Sequence, residues 1–215
     1  MRKRVWGVGG TAVAAAGIAM AAVFSTSGAA VATTTLAVTE SCKVDEPLTG
    51  DPFDISTTFE GTAPLSVTKG SVLTGSGVSQ PWTVPSELNG VPVIEIQDYA
   101  LTLRVSGPAT VSNATISGGS NLGTGTPSIT RNGNDVTVNV PGPLAPGSIV
   151  ELPTVNFTLR AGTTTGTITT SLTGSGYDDP GIRVTGVMEQ GADPLVAPAS
   201  CYSPDTGTLT STLVR

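Results

Sequence analysis

Glycine or proline interrupts nearly every ten-residue window beyond residue 32, and no run between them repeats apolar residues at helical spacing. That punctuation excludes a chain built on helices. The periodicity that does occur is twofold. Leu36 and Val38 alternate with Thr35, Ala37 and Thr39, while Phe53, Ile55, Thr57 and Phe59 share a face opposite Asp54, Ser56, Thr58 and Glu60. An extended run starts at Val93-Ile94-Glu95-Ile96 and continues through Leu101 to Val105. Further strands are expected over 111–116, 128–131, 136–140, 149–152, 155–159, 167–172 and 182–188. Asn132-Gly133-Asn134-Asp135, between two alternating runs, is the strongest hairpin signal in the chain. Many short strands separated by turn residues predict an all-β fold. The expected form is an antiparallel β-sandwich, Ig-like in style, with an up-and-down β-barrel as the alternative.

The interior would be filled by Val, Ile and Leu together with Phe53, Phe59, Trp82, Tyr99 and Phe157. Each buried aliphatic side chain contributes about 1.5–3 kcal/mol. Leu73-Thr74-Gly75-Ser76-Gly77 recurs as Leu172-Thr173-Gly174-Ser175-Gly176, and Gly70-Ser71-Val72-Leu73 is echoed by Gly147-Ser148-Ile149-Val150. The two echoes have different offsets, so they reflect shared turn chemistry rather than duplication. A single domain over residues 33–203 is expected, followed by a Thr-rich tail or last strand over 204–215.

The first 32 residues read as a secretory signal peptide. Arg2, Lys3 and Arg4 precede an uncharged, Ala-rich stretch from Val5 to Phe24, and Ala30-Val31-Ala32 offers a cleavage site between Ala32 and Thr33. An uncleaved membrane anchor is the alternative, since about 20 apolar residues span a bilayer. Cys42 and Cys201 are the only cysteines, and export would expose both to an oxidising compartment. A disulfide between them is expected, tying the first strand to the last. No C-x-x-C motif favours redox chemistry instead. Secretion, to the exterior or the cell envelope, follows as the expected location.

Composition excludes several functions. With no histidine there is no Ser-His-Asp or Cys-His catalysis and no His-ligated zinc. The formal charge of −6 disfavours nucleic acid and anionic membrane surfaces as partners. No catalytic residue, cofactor or metal is expected. Asp45, Glu46, Asp51 and Asp54, with Asp178 and Asp179, are weak calcium candidates whose ordinary role is in solvated turns. Glu95, Asp98, Asp178 and Asp179 are the only acids that would suit a carboxylate-dependent hydrolase. Trp82, Tyr177 and Tyr202 are candidate ligand contacts, Trp82 otherwise being buried between sheets. Asn113-Ala114-Thr115 and Asn156-Phe157-Thr158 match a glycosylation pattern, read here as coincidences of a Thr-rich chain.

The basic start, Ala-rich leader, cysteine near each end and Thr/Gly/Pro-rich body resemble exported β-sandwich proteins of actinobacteria whose function is uncharacterised. Ala63-Pro64-Leu65-Ser66-Val67-Thr68-Lys69-Gly70 and Gly142-Pro143-Leu144-Ala145-Pro146-Gly147 are similar to the proline- and glycine-marked strand entries of that group. The expectation is a non-catalytic envelope or extracellular protein, structural or adhesive through its loops and exposed strand edges, with a cell-envelope glycan or protein as partner. A carrier of a small hydrophobic ligand between the sheets is the alternative, and a hydrolase the remaining one.

Overall fold

The computed structural model describes residues 30–45, 52–88, 90–205 and 207–215. Sixteen strands occur among them. In chain order they are β1 (Val31–Val44), β2 (Phe53–Pro64), β3 (Ser66–Val67), β4 (Val72–Ser79), β5 (Trp82–Thr83), β6 (Glu87–Leu88), β7 (Val91–Ser106) and β8 (Ala109–Ser117). The second half holds β9 (Ser128–Asn132), β10 (Asp135–Val140), β11 (Ile149–Val150), β12 (Thr154–Ala161), β13 (Gly166–Leu172), β14 (Ile182–Met188), β15 (Leu195–Tyr202) and β16 (Thr208–Val214).

One hydrogen-bonded path runs β3-β16-β13-β7-β14-β15-β1-β2-β4-β12-β8, with β10 and β9 continuing from the free edge of β7. The path folds over itself so that β16 packs on β1 and β2. Its two ends do not pair, so the sheet forms a sandwich and not the barrel held as the alternative. All pairings are antiparallel except β16 with β3.

Side-chain alternation explains the packing. On β2 the face carrying Phe59 continues through Gly61 and Ala63, and all three are buried. Gly61 lies opposite Gly77 of β4. Together they clear space for Leu209 of β16: a Cβ on Gly61 would meet the Leu209 carbonyl oxygen at 2.5 Å and its Cγ at 2.6 Å. Glycine in a strand interior therefore marks the closest approach of the two layers. Leu209 is 1% exposed, so residues 208–214 form a core strand and not a loose tail.

The tetrad at 132–135 makes a two-residue hairpin, with Asn132 opposite Asp135. Gly133 has φ 61° and Asn134 is not left-handed, which is the II′ arrangement. The Asn134 side chain then ties the hairpin to β8, accepting from the Val111 amide at 3.1 Å and donating to the Ala109 carbonyl at 2.9 Å.

Three features depart from the sequence reading. Residues 149–152 give only the short β11, which pairs with β5 and sets Val150 opposite Trp82. β15 is a central strand despite Pro198. Its next neighbour β1 ends at Val44, opposite Ala199, so the proline sits where the ladder stops. The segment 142–147 is no strand entry; it loops over β7 and buries Leu144 through paired hydrogen bonds with Ile96.

Candidate functional site

Period-two alternation on β1 turns Leu36, Val38, Glu40, Cys42 and Val44 inward. Glu40 thus takes a core position between a valine and a cysteine. It is 4% exposed, faces Ile55 across the ladder, and its Oε1 has no hydrogen-bond partner among the described residues. Burial pushes its carboxyl up from 4.5 to about 7, because no cation or donor offsets the lost hydration.

Cys42 lies directly opposite Cys201 of β15 and the two are joined by a disulfide, with Cα atoms 4.0 Å apart. The bond ties the first strand to the penultimate one. β16 follows it in sequence.

β7 supplies the opposite wall through two irregularities. One residue too many on β7 lies opposite β14 between Val93 and Glu95, and again between Gln97 and Ala100. Asp98 adopts φ 50° in the second bulge. Each bulge flips the alternation, so Val93, Ile96, Tyr99 and Leu101 all point inward although their spacing is three, three and two. Tyr99 is thereby brought near Glu40. Its phenol is pushed well above its ordinary range, first by burial and then by the charge of Glu40.

Between these walls lies a recess of about 40 Å³. Glu40, Phe53, Ile55, Tyr99 and Met188 line it, and Trp82, Pro85 and Leu88 flank it. Trp82 is partly exposed, and its ring lies 6.0 Å from that of Tyr99 at 33°. The volume exceeds the roughly 10–15 Å³ a water needs, and falls far short of the roughly 300 Å³ of a drug-sized pocket. A small group fits. A whole lipid does not.

The candidate residues divide between sites. Trp82 borders the recess. Tyr177 and Tyr202 meet each other edge-to-face at 5.1 Å on the outer face of β1 and β15, where the Tyr177 hydroxyl pairs with Ser41 Oγ at 2.9 Å. The Lys43 ammonium stands 6.0 Å from the Tyr177 ring. Asp54 is exposed on β2 opposite Ser41, while Asp178 and Asp179 occupy an exposed turn closed by Ser175. Among the described residues no three acids, cysteines or histidines gather in a metal-binding group. Glu46 and Asp51 lie outside the described residues. The hydrolase pool, Glu95, Asp98, Asp178 and Asp179, does not line the recess. Ala32 and Thr33 pair with Ala63 and Thr62, so cleavage between them would remove the first two residues of β1; residues 1–29 lie outside the described part.

Glu40 was not among the residues singled out from sequence. Its signal was available: extending the Leu36–Val38 frame by one step places a carboxylate inside.

No protein-family model matches the chain, and no curated protein matches it. Among solved structures it is similar to a protein of Corynebacterium diphtheriae described as membrane anchored, at 16% identity and TM-score 0.51. That match covers 86% of this chain and 38% of the other, so the chain spans well under half the length of that structure. A non-cellulosomal cohesin of the archaeon Archaeoglobus fulgidus aligns at 12% identity and TM-score 0.33, over 71% of this chain and 88% of the cohesin. The first likeness extends to the fold: an all-β sandwich shared with an actinobacterial protein.

Proposed function

We propose that this chain is an extracytoplasmic, non-catalytic β-sandwich of the cell envelope, with a structural or adhesive role. The Cys42–Cys201 bond is the observation that carries the reading, because a disulfide between two core strands belongs to an oxidising compartment. The membrane-anchored description of the Corynebacterium protein fits the same placement. Binding is favoured over catalysis because, among the described residues, no second carboxylate lines the recess with Glu40. The test is cell fractionation followed by a non-reducing peptide map. A linked Cys42–Cys201 peptide in envelope or medium supports the reading. Cytosolic protein with both thiols alkylated overturns it.

A second reading has its own observation. The unpartnered Glu40 oxygen, set among apolar walls beside Trp82 and Tyr99, suits a ligand with a small hydrogen-bond-donating or cationic head on an apolar stem. Native mass spectrometry of host-derived protein tests it. A bound species lost in both Glu40→Gln and Trp82→Ala supports the reading, and ligand-free spectra from freshly isolated protein refute it.

A further inference from the structure

The sandwich is electrically lopsided along its strands. At the end where the chain enters, Ala30 accepts from the Leu65 amide, Leu65 accepts from the Leu213 amide, and Arg215 accepts from the Lys69 amide. Gly70 bonds to Gly162 beside them. The segments that build this root, residues 30–39, 61–73, 105–117, 155–172 and 207–215, contain no Asp or Glu. They carry Lys69, Arg160 and Arg215, all exposed. Arg131 reaches the neighbouring edge through its bond to the Val111 carbonyl. Even with the chain's last carboxylate counted, the root is net positive. Glu40, Glu60 and Asp205 border these segments, Glu40 turned into the core, and Asp135 is held by two contacts from Arg104. Asp45, Glu87, Glu189 and Asp193 lie at the far end.

The same root exposes apolar side chains. Leu65, Val72 and Leu213 are 51%, 60% and 42% exposed, and Val31, ahead of the expected cleavage site, is 60% exposed. Cations interleaved with exposed aliphatics are the chemistry of a surface that lies on anionic lipid.

We propose that this root rests on an anionic lipid surface, with the acidic end directed away from it. The inference builds on the envelope placement proposed above, but its test reads lipid contact alone. Charge complementarity confined to one end, with exposed aliphatics interleaved among the cations, selects a membrane over a protein partner. The overall charge of −6 does not oppose this. Fourteen-residue β1 is about 46 Å long. The far acids therefore lie several screening lengths, each about 8 Å, from a surface touching the root.

The test is lysine footprinting of the full chain as its host exports it, mixed with vesicles of phosphatidylglycerol and phosphatidylcholine or of phosphatidylcholine alone. Lys69 modification should slow on the anionic vesicles, and vesicle affinity should fall about fivefold for each root cation removed. Lys43 should not change, and about 1 M salt should restore Lys69. The double variant Arg160→Gln/Arg215→Gln, checked for unchanged melting, should return Lys69 to its lipid-free rate. Equal Lys69 reactivity with and without anionic vesicles overturns the proposal. So does equal protection on phosphatidylcholine alone.

Discussion

Replacing Glu40 with glutamine should make the protein more stable, and only on the alkaline side. The native carboxyl titrates near 7 against 4.5 for the free group, a difference of about 2.5 units. At about 1.36 kcal/mol per unit this amounts to roughly 3 kcal/mol. Below pH 4.5 the group is protonated in both folded and unfolded chains and contributes no pH dependence. Between 4.5 and 7 only the unfolded chain releases the proton, so folding loses stability as pH rises. Above 7 the folded chain holds a buried carboxylate without a partner, and the full penalty persists. Glutamine keeps the shape and removes the ionisation. It carries a buried amide in place of a buried acid, so the two proteins should match near pH 4.

Urea denaturation of both proteins from pH 4 to pH 8 measures the effect. The difference curve isolates Glu40, because every other titrating group is common to both. It should rise from near zero to about 3 kcal/mol, or about 6–12 °C in melting temperature at pH 8 for a domain of this size. Parallel stability curves across that range would show that Glu40 is hydrated or paired in solution, and would remove the electrostatic basis of the recess.

Other perturbations report on the frame around the recess. Gly61→Ala forces a methyl against the Leu209 backbone and should cost about 1–3 kcal/mol, read by calorimetry. Leu209→Ala should lower stability by about 2–5 kcal/mol in the same measurement, whereas an unpacked tail would leave it unchanged. Removing both Cys42 and Cys201 should cost about 2–5 kcal/mol by urea titration, within the roughly 5 kcal/mol that loop closure over a separation of 159 residues allows. Asn134→Ala breaks two hydrogen bonds to β8 and should cost about 1–3 kcal/mol, with faster hydrogen exchange at the Val111 amide.

The fold class was legible because alternation and turn chemistry are local. The hairpin at 132–135 and the faces of β2 needed no knowledge of partners. β15 was hidden by Pro198, whose missing amide is harmless only because β1 stops beside it. The glycine-rich β4 read as a turn, since nothing local announces that Gly77 and Gly61 must clear a path for Leu209. In both cases the deciding neighbour is distant in sequence. Tyr177 and Tyr202, candidate ligand contacts, meet each other edge-to-face with the Tyr177 hydroxyl on Ser41, an arrangement set by neighbours distant in sequence.

The recess was obscured for a deeper reason: it arises where the strand rules are broken. Strict alternation along β7 would send Tyr99 to the face opposite Ile96. Two bulges, the second carrying Asp98 in the left-handed region, return both to the interior. On β1 the rule is obeyed and its consequence is costly, since the inward position falls on a carboxylate. A chain selected for stability alone would place Val or Thr there, as it does at Val38 and Thr57, the pair next to Glu40 and Ile55. Keeping an unpaired acid against a wall rebuilt by two bulges means accepting a penalty and an irregular strand in the same place. Such a coincidence of broken rules is the physical ground for the ligand reading proposed above as the second one.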